Sequence, residues 1–429
     1  MSFKPVYIVD GSRTPFLKVR NQRGAFSAAD LAVQSARALM LRQPFAASDL
    51  SEVIVGCAAP SPDETNIGRV VGLRIGTGHK VPAWTVMRNC ASGMQAIDSA
   101  ISNIQNGRSE IVLAVGTDAL SRAPLLFSDQ MVDWLAGFNS ARSFGQKLSA
   151  LKGFKLNYLS PVIGLLKGLT DPVVGISMGQ TAENLAHQFN ISRTEMDSFS
   201  ARSHARAIAA QNQQAFAAEM TPLIDPKGKL YPADDGVRAD STVEKLAKLK
   251  PVFDKPSGNI TAGNSSQVTD GAACLLLASA EAVEKWGLKP IGKITDSQWA
   301  GLDPSVMGLG PVHASVPIMQ RNNLNLDDID LWEINEAFAA QTIACLKAFN
   351  DEEYCQEHFQ RPAIGQIDED KLNVDGGAIA IGHPVGASGA RIVLHLLHAL
   401  KQRQLQRGIA SICIGGGQGG AMLIETIQE

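Results

Sequence analysis

Cysteine is sparse and scattered: Cys57, Cys90, Cys274, Cys345, Cys355 and Cys413 form no Cys-x-x-Cys pair and no dense framework in 429 residues. A zinc site or a disulfide scaffold is therefore disfavoured, and a reducing compartment is expected. No apolar run approaches the roughly 18 residues that a membrane-spanning helix needs. The amino-terminal stretch MSFKPVYIVDG passes from one lysine into a short strand without a signal-like apolar core, so a cytoplasmic or organelle-lumen protein is expected. Charge is nearly balanced, 39 basic against 42 acidic residues, which gives no reason to expect nucleic acid as a partner. Gly-x-x-x-x-Gly-Lys-Ser/Thr, His-Glu-x-x-His and a Gly-x-Gly-x-x-Gly turn after the first strand are all missing, and with them the specific support for nucleotide-binding or zinc-protease chemistry.

What is present is glycine, 39 residues of it, in a chain that is 45% hydrophobic and 19% charged, the composition of a soluble α/β enzyme large enough for two or three domains. Short apolar runs at 6–9, 52–55 and 81–86 alternate with helical patterns, which argues for crossover units on a largely parallel sheet. The stretch LNVDGGAIAIGHPVGASGAR at 372–391 sets one histidine, His383, among closely spaced glycines and runs into a helix marked by Val393, Leu396, Leu397 and Leu400. A second stretch shares the plan: Cys90-Ala91-Ser92-Gly93 parallels Gly386-Ala387-Ser388-Gly389, and Met94, Ile97, Ile101 and Ile104 form the next helical stripe. Each helix leads to an apolar strand, at 111–115 and 409–414, so the chain reads as an internal duplication of loop, helix and strand. The second half begins near Pro290, and its first clear buried strand is expected at 330–334.

Three side chains stand out for chemistry. Cys90 precedes a helix start, where oriented N–H groups are expected to lower a thiol pKa and favour a nucleophilic thiolate; its bland alternative is a small packed residue. His383 can accept a thiol proton or hold an oxyanion. Cys413 ends a strand ahead of Gly415, Gly416 and Gly417, where a thiol could exchange a proton with a substrate carbon and bare N–H groups could bind an oxyanion; a packed cysteine at a tight turn is the alternative. Gly175-Ile176-Ser177-Met178-Gly179 matches a serine-hydrolase elbow, but Pro172 and the short Val173-Val174 run make a poor preceding strand. Residues 134–170 carry Arg142, Lys147, Lys152, Lys155 and Lys167 among many apolar side chains and no acidic residue. Such an insertion suits a lid, a ligand phosphate, a partner or an anionic membrane.

With these motifs in place, the sequence resembles the thiolase family. The resemblance rests on Arg13-Thr14-Pro15-Phe16, Asn89-Cys90-Ala91-Ser92-Gly93, GTDALSRAP at 116–124, Ala262-Gly263-Asn264-Ser265-Ser266, Asn335-Glu336-Ala337-Phe338, the stretch 376–391 and the stretch 413–420, in the family's order. It implies the thiolase fold: two duplicated α/β halves, 1–289 and 290–429, forming a five-layer α/β/α/β/α core, with a loop domain inserted at about 120–255. It further implies a Cys90 acyl-enzyme, His383 as its base, and an oxyanion site made by His383 with a water held by Asn335. A second oxyanion site would come from the N–H groups of Cys90 and Gly415, and Cys413 would exchange the proton at C2. Ser266, Met178, Ala262 and Gly263 would bind coenzyme A, with acyl-CoA as substrate and no tightly bound cofactor or metal. Within the family the chain looks most like the thiolase subunit of trifunctional fatty-acid oxidation complexes, implying 3-ketoacyl-CoA thiolysis, a homodimer or dimer of dimers, a hydratase/dehydrogenase partner and membrane contact through 134–170. It departs from that subgroup in Asn335, where histidine is common. A short-chain acetoacetyl-CoA thiolase is the nearest alternative; a non-catalytic CoA-binding scaffold fits poorly with a complete cysteine, histidine, cysteine and asparagine set. A decarboxylating ketosynthase would be expected to pair its cysteine with two histidines.

Overall fold

The structure is a computed structural model and describes residues 5–20 and 22–427. Residues 1–4, which include the lysine of the amino-terminal reading, and the last two residues of the 290–429 half lie outside the described residues. The first half runs through β1 (Val6–Arg13), α1 (Ala28–Met40), β2 (Glu52–Gly56), α2 (Ile67–Ile75), β3 (Ala83–Val86), α3 (Ser92–Gln105) and β4 (Ile111–Ala119). A helical insertion follows, with α4 (Asp129–Ser140), α5 (Phe144–Lys152) and α6 (Gly164–Gly168), and then α7 (Met178–Gln188) and α8 (Arg193–Asn212) lead to β5 (Thr269–Ser279). The second half contributes β6 (Gly292–Gly301), α9 (Gly310–Arg321), β7 (Leu331–Ile334), α10 (Ala339–Phe349), α11 (Val385–Gln402), β8 (Arg407–Ile414) and β9 (Gln418–Thr426).

The duplication is visible in the strand order. The first half is ordered β3-β2-β4-β5-β1 and the second β7-β8-β9-β6, so β2, β4, β5 and β1 correspond to β7, β8, β9 and β6. In each half the first of these pairs is parallel and the next two are antiparallel. The halves join where Val6, Tyr7 and Ile8 pair with Ile294, Lys293 and Gly292, giving one sheet that, with the short strand Leu17–Lys18 paired to β5, has ten strands among the described residues. Side-chain alternation along the strands then builds layers. Val112 and Ala114 of β4 and Ala410 and Ile412 of β8 pack with α3 and α11 in a shared central core. Leu113 and Val115 face α1 and α2 on one outer side, and Ile409 and Cys413 face α9 and α10 on the other. The result is an α/β/α/β/α arrangement.

The first fully buried strand of the second half is β7, as expected at 330–334, but β6 precedes it and was not anticipated. Lys293, Asp296, Ser297 and Gln298 leave β6 only half-buried, so it lacks the apolar run by which β7 announces itself. Arg13 reaches Glu219 at 2.5 Å and Asp234 at 2.8 Å, all with fully buried side chains, and so ties β1 to the 219–234 segment. The basic insertion is helical. Trp134 stacks on Phe138 and meets the edge of Phe154, yet Phe127, Phe144, Leu156, Leu159 and Leu166 remain exposed around it. Among the described residues no helix is long and apolar enough to cross a membrane.

The central helices touch backbone to backbone. A Cβ on Gly116 would lie 2.5 Å from the Gly386 carbonyl oxygen and 2.9 Å from the Gly93 Cα, and one on Gly389 would lie 2.8 Å from the Met94 nitrogen. Gly116→Ala should therefore cost about 1–3 kcal/mol by overpacking. Gly137→Ala, in open space on α4, should be neutral or stabilising by up to about 1 kcal/mol. Urea unfolding midpoints of the two variants check this, and equal effects would show that the halves can move apart freely.

Candidate active site

Cys90 is positioned by a strained turn. After β3 the chain passes through Asn89 at φ 43°, a left-handed conformation that asparagine tolerates better than most residues, and Cys90 follows in a short 3₁₀ turn before α3. The Asn89 Nδ2 donates to the Gly415 carbonyl at 2.7 Å, fixing the peptide beside the sulfur. The Gly415 N–H and the N–H of Cys90 itself point at the thiol. Burial nevertheless pushes the thiol pKa up, with nearby Asp118 adding to the effect. The expected lowering by a helix start is thus overturned, because desolvation of the thiolate outweighs the backbone dipoles.

His383 lies in the glycine loop just ahead of α11, whose first turns pack against the Cys90 turn. Its Nδ1 is 2.6 Å from Ser388 Oγ, and the Ser388 hydroxyl donates to the Pro384 carbonyl at 3.0 Å. With its one proton so committed, the serine oxygen accepts from Nδ1–H, which leaves the Nε2 lone pair free. Nε2 is buried and has no hydrogen-bond partner among the described residues. Burial, with Arg391 nearby, lowers the imidazole pKa to about 4, so the ring is neutral.

Asn335 and Cys413 stand at the carboxyl ends of the parallel pair β7 and β8, the end at which α/β sheets place ligands. The Asn335 backbone N–H donates to the Ser411 carbonyl at 2.9 Å, while both polar atoms of its buried amide lack partners among the described residues. Buried amides are rarely left so, and this one is available to a ligand or a bound water. Cys413 is fully buried, and burial, Cys90 and Cys345 hold its thiol well above the ordinary range. A cavity of about 540 Å³ opens above Cys90, Gly415 and Gly416, walled by Leu120, Pro124, Leu165, Leu169, Val173 and Met178.

The Met178 sulfur would touch a Cβ at Gly415 at 3.0 Å, so Met178 belongs to this site. Ala262, Gly263 and Ser266 are not walls of the cavity; their turn docks on the Asn335 loop, with Ser266 N–H donating to Ala337 at 2.9 Å. Ser177 of the Gly-x-Ser-x-Gly match caps α7, its side chain accepting from the Gln180 N–H, and has no elbow geometry.

Two family models match end to end: the thiolase N-terminal domain over residues 6–281 and the thiolase C-terminal domain over residues 288–426. The chain belongs to the thiolase family. It is 39% identical to a beta-ketoadipyl-CoA thiolase of Pseudomonas knackmussii, over 99% of this chain and all of that one. It is 36% identical to a 3-ketoacyl-CoA thiolase of Shewanella halifaxensis, over 98% of this chain and 97% of the relative. The crystal structure of human mitochondrial 3-ketoacyl-CoA thiolase in complex with CoA superposes with a TM-score of 0.84 at 36% identity, covering 99% of this chain and 98% of that one. A Bacillus anthracis acetyl-CoA acetyltransferase superposes with a TM-score of 0.86, also at 36% identity, over 99% and 100% of the two chains.

Sequence reasoning about this thiolase missed Asn89 and Ser388 as parts of the site. Each lay inside a quoted motif, and what was lacking was the fold that turns it toward Cys90 or His383. Ser388→Ala leaves the Nδ1–H without its acceptor. Alkylation of Cys90 by iodoacetamide at pH 7, followed by mass spectrometry, should slow about tenfold, equivalent to about 1.4 kcal/mol. An unchanged rate would remove His383 from the proton transfer. Since the ring becomes charged only as pH falls through about 4, the acid limb of the same reaction should lie near 4; a limb near 6.5 would mark a solvated histidine.

Proposed function

We propose that this thiolase cleaves 3-ketoacyl-CoA with coenzyme A to acetyl-CoA and a shortened acyl-CoA, and catalyses the reverse Claisen condensation, through an acyl-enzyme on Cys90. The observation that carries the reading is the pair of buried groups without partners among the described residues, His383 Nε2 and the Asn335 amide: His383 precedes the helix packed on the Cys90 turn, and Asn335 is bonded to the strand of Cys413, whose thiol feels Cys90. In thiolysis Nε2 takes the Cys90 proton and the sulfur attacks the C3 ketone. The C2–C3 bond breaks, C2 of the departing acetyl-CoA enolate takes its proton from Cys413, and the acyl group stays on sulfur. The thiol of coenzyme A then gives its proton to the Cys413 thiolate and attacks the acyl carbon, and Cys90, released as the leaving thiolate, takes back its proton from His383. One oxyanion site is His383 with a water on Asn335; the other is the N–H pair of Cys90 and Gly415. Charge that develops there meets donors already in place, which is where most of the acceleration arises.

Coenzyme A and acyl-CoA are the substrates, with Met178, Ser266, Ala262 and Gly263 along the pantetheine path. The apolar walls of the cavity, Leu120, Leu165, Leu169 and Val173, support a hydrocarbon acyl chain. On purified protein, CoA-dependent loss of the 3-ketoacyl-CoA enolate absorbance should be faster with a ten-carbon substrate than with acetoacetyl-CoA. The opposite preference would make it a short-chain acetyltransferase, and no turnover of either would sink the reading.

The chain works in the cytoplasm as a homodimer or dimer of dimers, beside a hydratase/dehydrogenase subunit, with residues 134–170 resting on an anionic membrane. Five basic side chains, no acidic ones and the exposed Phe144, Leu156 and Leu166 support that contact. Sedimentation with phosphatidylglycerol vesicles should carry the protein into the pellet at low salt and release it at high salt. Equal recovery with and without vesicles would rule the contact out.

A further inference from the structure

The carboxylate of Asp118 has no part in the chemistry above, yet it is fully buried between the two halves. It lies near the end of β4. Its Oδ1 accepts from the Ala59 N–H at 2.9 Å and lies 3.2 Å from the Cys57 sulfur. Its Oδ2 accepts from the Ala58 N–H at 3.3 Å and, across the interface, from the Gly386 N–H. Gly386 belongs to the first turn of α11. The N-cap of that helix is Pro384, which provides no side-chain hydrogen bond to the first turn. A helix start in this state needs an acceptor for its free N–H groups, and a carboxylate is the best kind. Asp118 supplies it from the other half of the fold.

The approach is too close for anything but glycine at the contact. A Cβ on Gly386 would lie 2.7 Å from the Thr117 carbonyl oxygen and 2.8 Å from Asp118 Oδ2. The same first turn follows directly on His383-Pro384 and contains Ser388, the partner of the His383 ring. One carboxylate therefore holds the loop that ends β2 and the helix start that carries the histidine.

We infer that Asp118 is a positioning residue for the acyl-transfer reaction: by capping α11 from the opposite half, it sets where His383 stands relative to Cys90. The inference rests on the reading of Cys90 and His383 as acylated thiol and base. Burial pushes the Asp118 pKa up, and the N–H groups of Ala59 and Gly386 act in the opposite sense.

Asp118→Asn keeps the size but turns an N–H donor toward backbone donors, and Cys57→Ala removes a partner of the same carboxylate that lies away from the helix. In thiolysis assays Asp118→Asn should lose at least tenfold in kcat, with KM for the acyl-CoA within about threefold of wild type. Its acid limb should rise from about 4 toward 6.5 as the imidazole loosens into solvent. Cys57→Ala should keep kcat within twofold. Wild-type kcat and an unmoved acid limb in folded Asp118→Asn would overturn the inference, as would an equal loss in Cys57→Ala. Failure of both Asp118→Asn and Asp118→Ser to fold would overturn it too, because the residue would then serve stability alone. A wild-type protein with no thiolysis would instead defeat the functional reading on which the inference stands.

Discussion

Backbone-to-backbone contact between the two central helices is the constraint on which the rest of this thiolase depends. At Gly93, Gly116, Gly386 and Gly389 no Cβ can be added without a contact of 3.0 Å or less with the opposite half. Ordinary side chains would hold α3 and α11 about 8–10 Å apart. Glycine removes that spacing and brings the Cys90 turn against the start of α11. The precision of the site is therefore a property of main-chain packing, which has few alternative arrangements.

Buried carboxylates convert that proximity into fixed geometry. Glu336, next to Asn335, accepts from Ser203 at 2.6 Å, Asn373 at 2.9 Å and the Ile379 N–H at 3.2 Å, and so pins the glycine loop four residues before His383. Glu333, on β7, pairs with Arg391 two turns into α11 at 2.5 Å. Arg391 in turn helps keep His383 neutral. Burial raises both thiols and lowers the imidazole, so the resting site holds Cys90, Cys413 and His383 uncharged. Under the proposed roles, such a site meets the cost of charge separation only during reaction, when the N–H groups of Cys90 and Gly415 stand ready for the oxyanion. That ordering accounts for a proposed nucleophile that is not a standing thiolate despite its place before a helix.

The sequence carried the two loop, helix and strand units, because glycine clustering and helical periodicity are local signals, and the apolar runs of β4 and β8 made their strands plain. It did not carry β6. A strand whose side chains are mostly half-buried, with Asp296 paired to Arg321 of α9 and Ser297 and Trp299 bonded to Asp98 of α3, needs no apolar run, and its pairing with β1 joins Ile294 to Val6 from the far end of the chain. Cys90, His383, Asn335 and Cys413 were legible as candidates because each sits in a motif. The direction of the Cys90 shift was not, since burial is set by everything folded around the thiol and outweighs the local dipole. Ser388 and Asp118 were hidden for a related reason: a hydroxyl that selects a tautomer and a carboxylate that caps a distant helix have no pattern of their own.

The duplicated quartets also explain why the two halves of a symmetric core do different work. Cys90-Ala91-Ser92-Gly93 spans the turn into α3, and Gly386-Ala387-Ser388-Gly389 lies at the start of α11. The final glycine of each makes the same kind of contact, Gly93 with the Gly386 carbonyl and Gly389 with the Met94 backbone. The first position differs because space differs. At 386 a Cβ would strike the Thr117 carbonyl and the Asp118 carboxylate, whereas Cys90 projects into the open cavity. A thiol at both positions is therefore sterically impossible in this packing. The second half instead contributes a histidine three residues earlier, where the loop still has room to turn a ring. The asymmetry of the proposed nucleophile and base follows from fitting two copies of one motif against each other so closely that only one of them can keep its side chain.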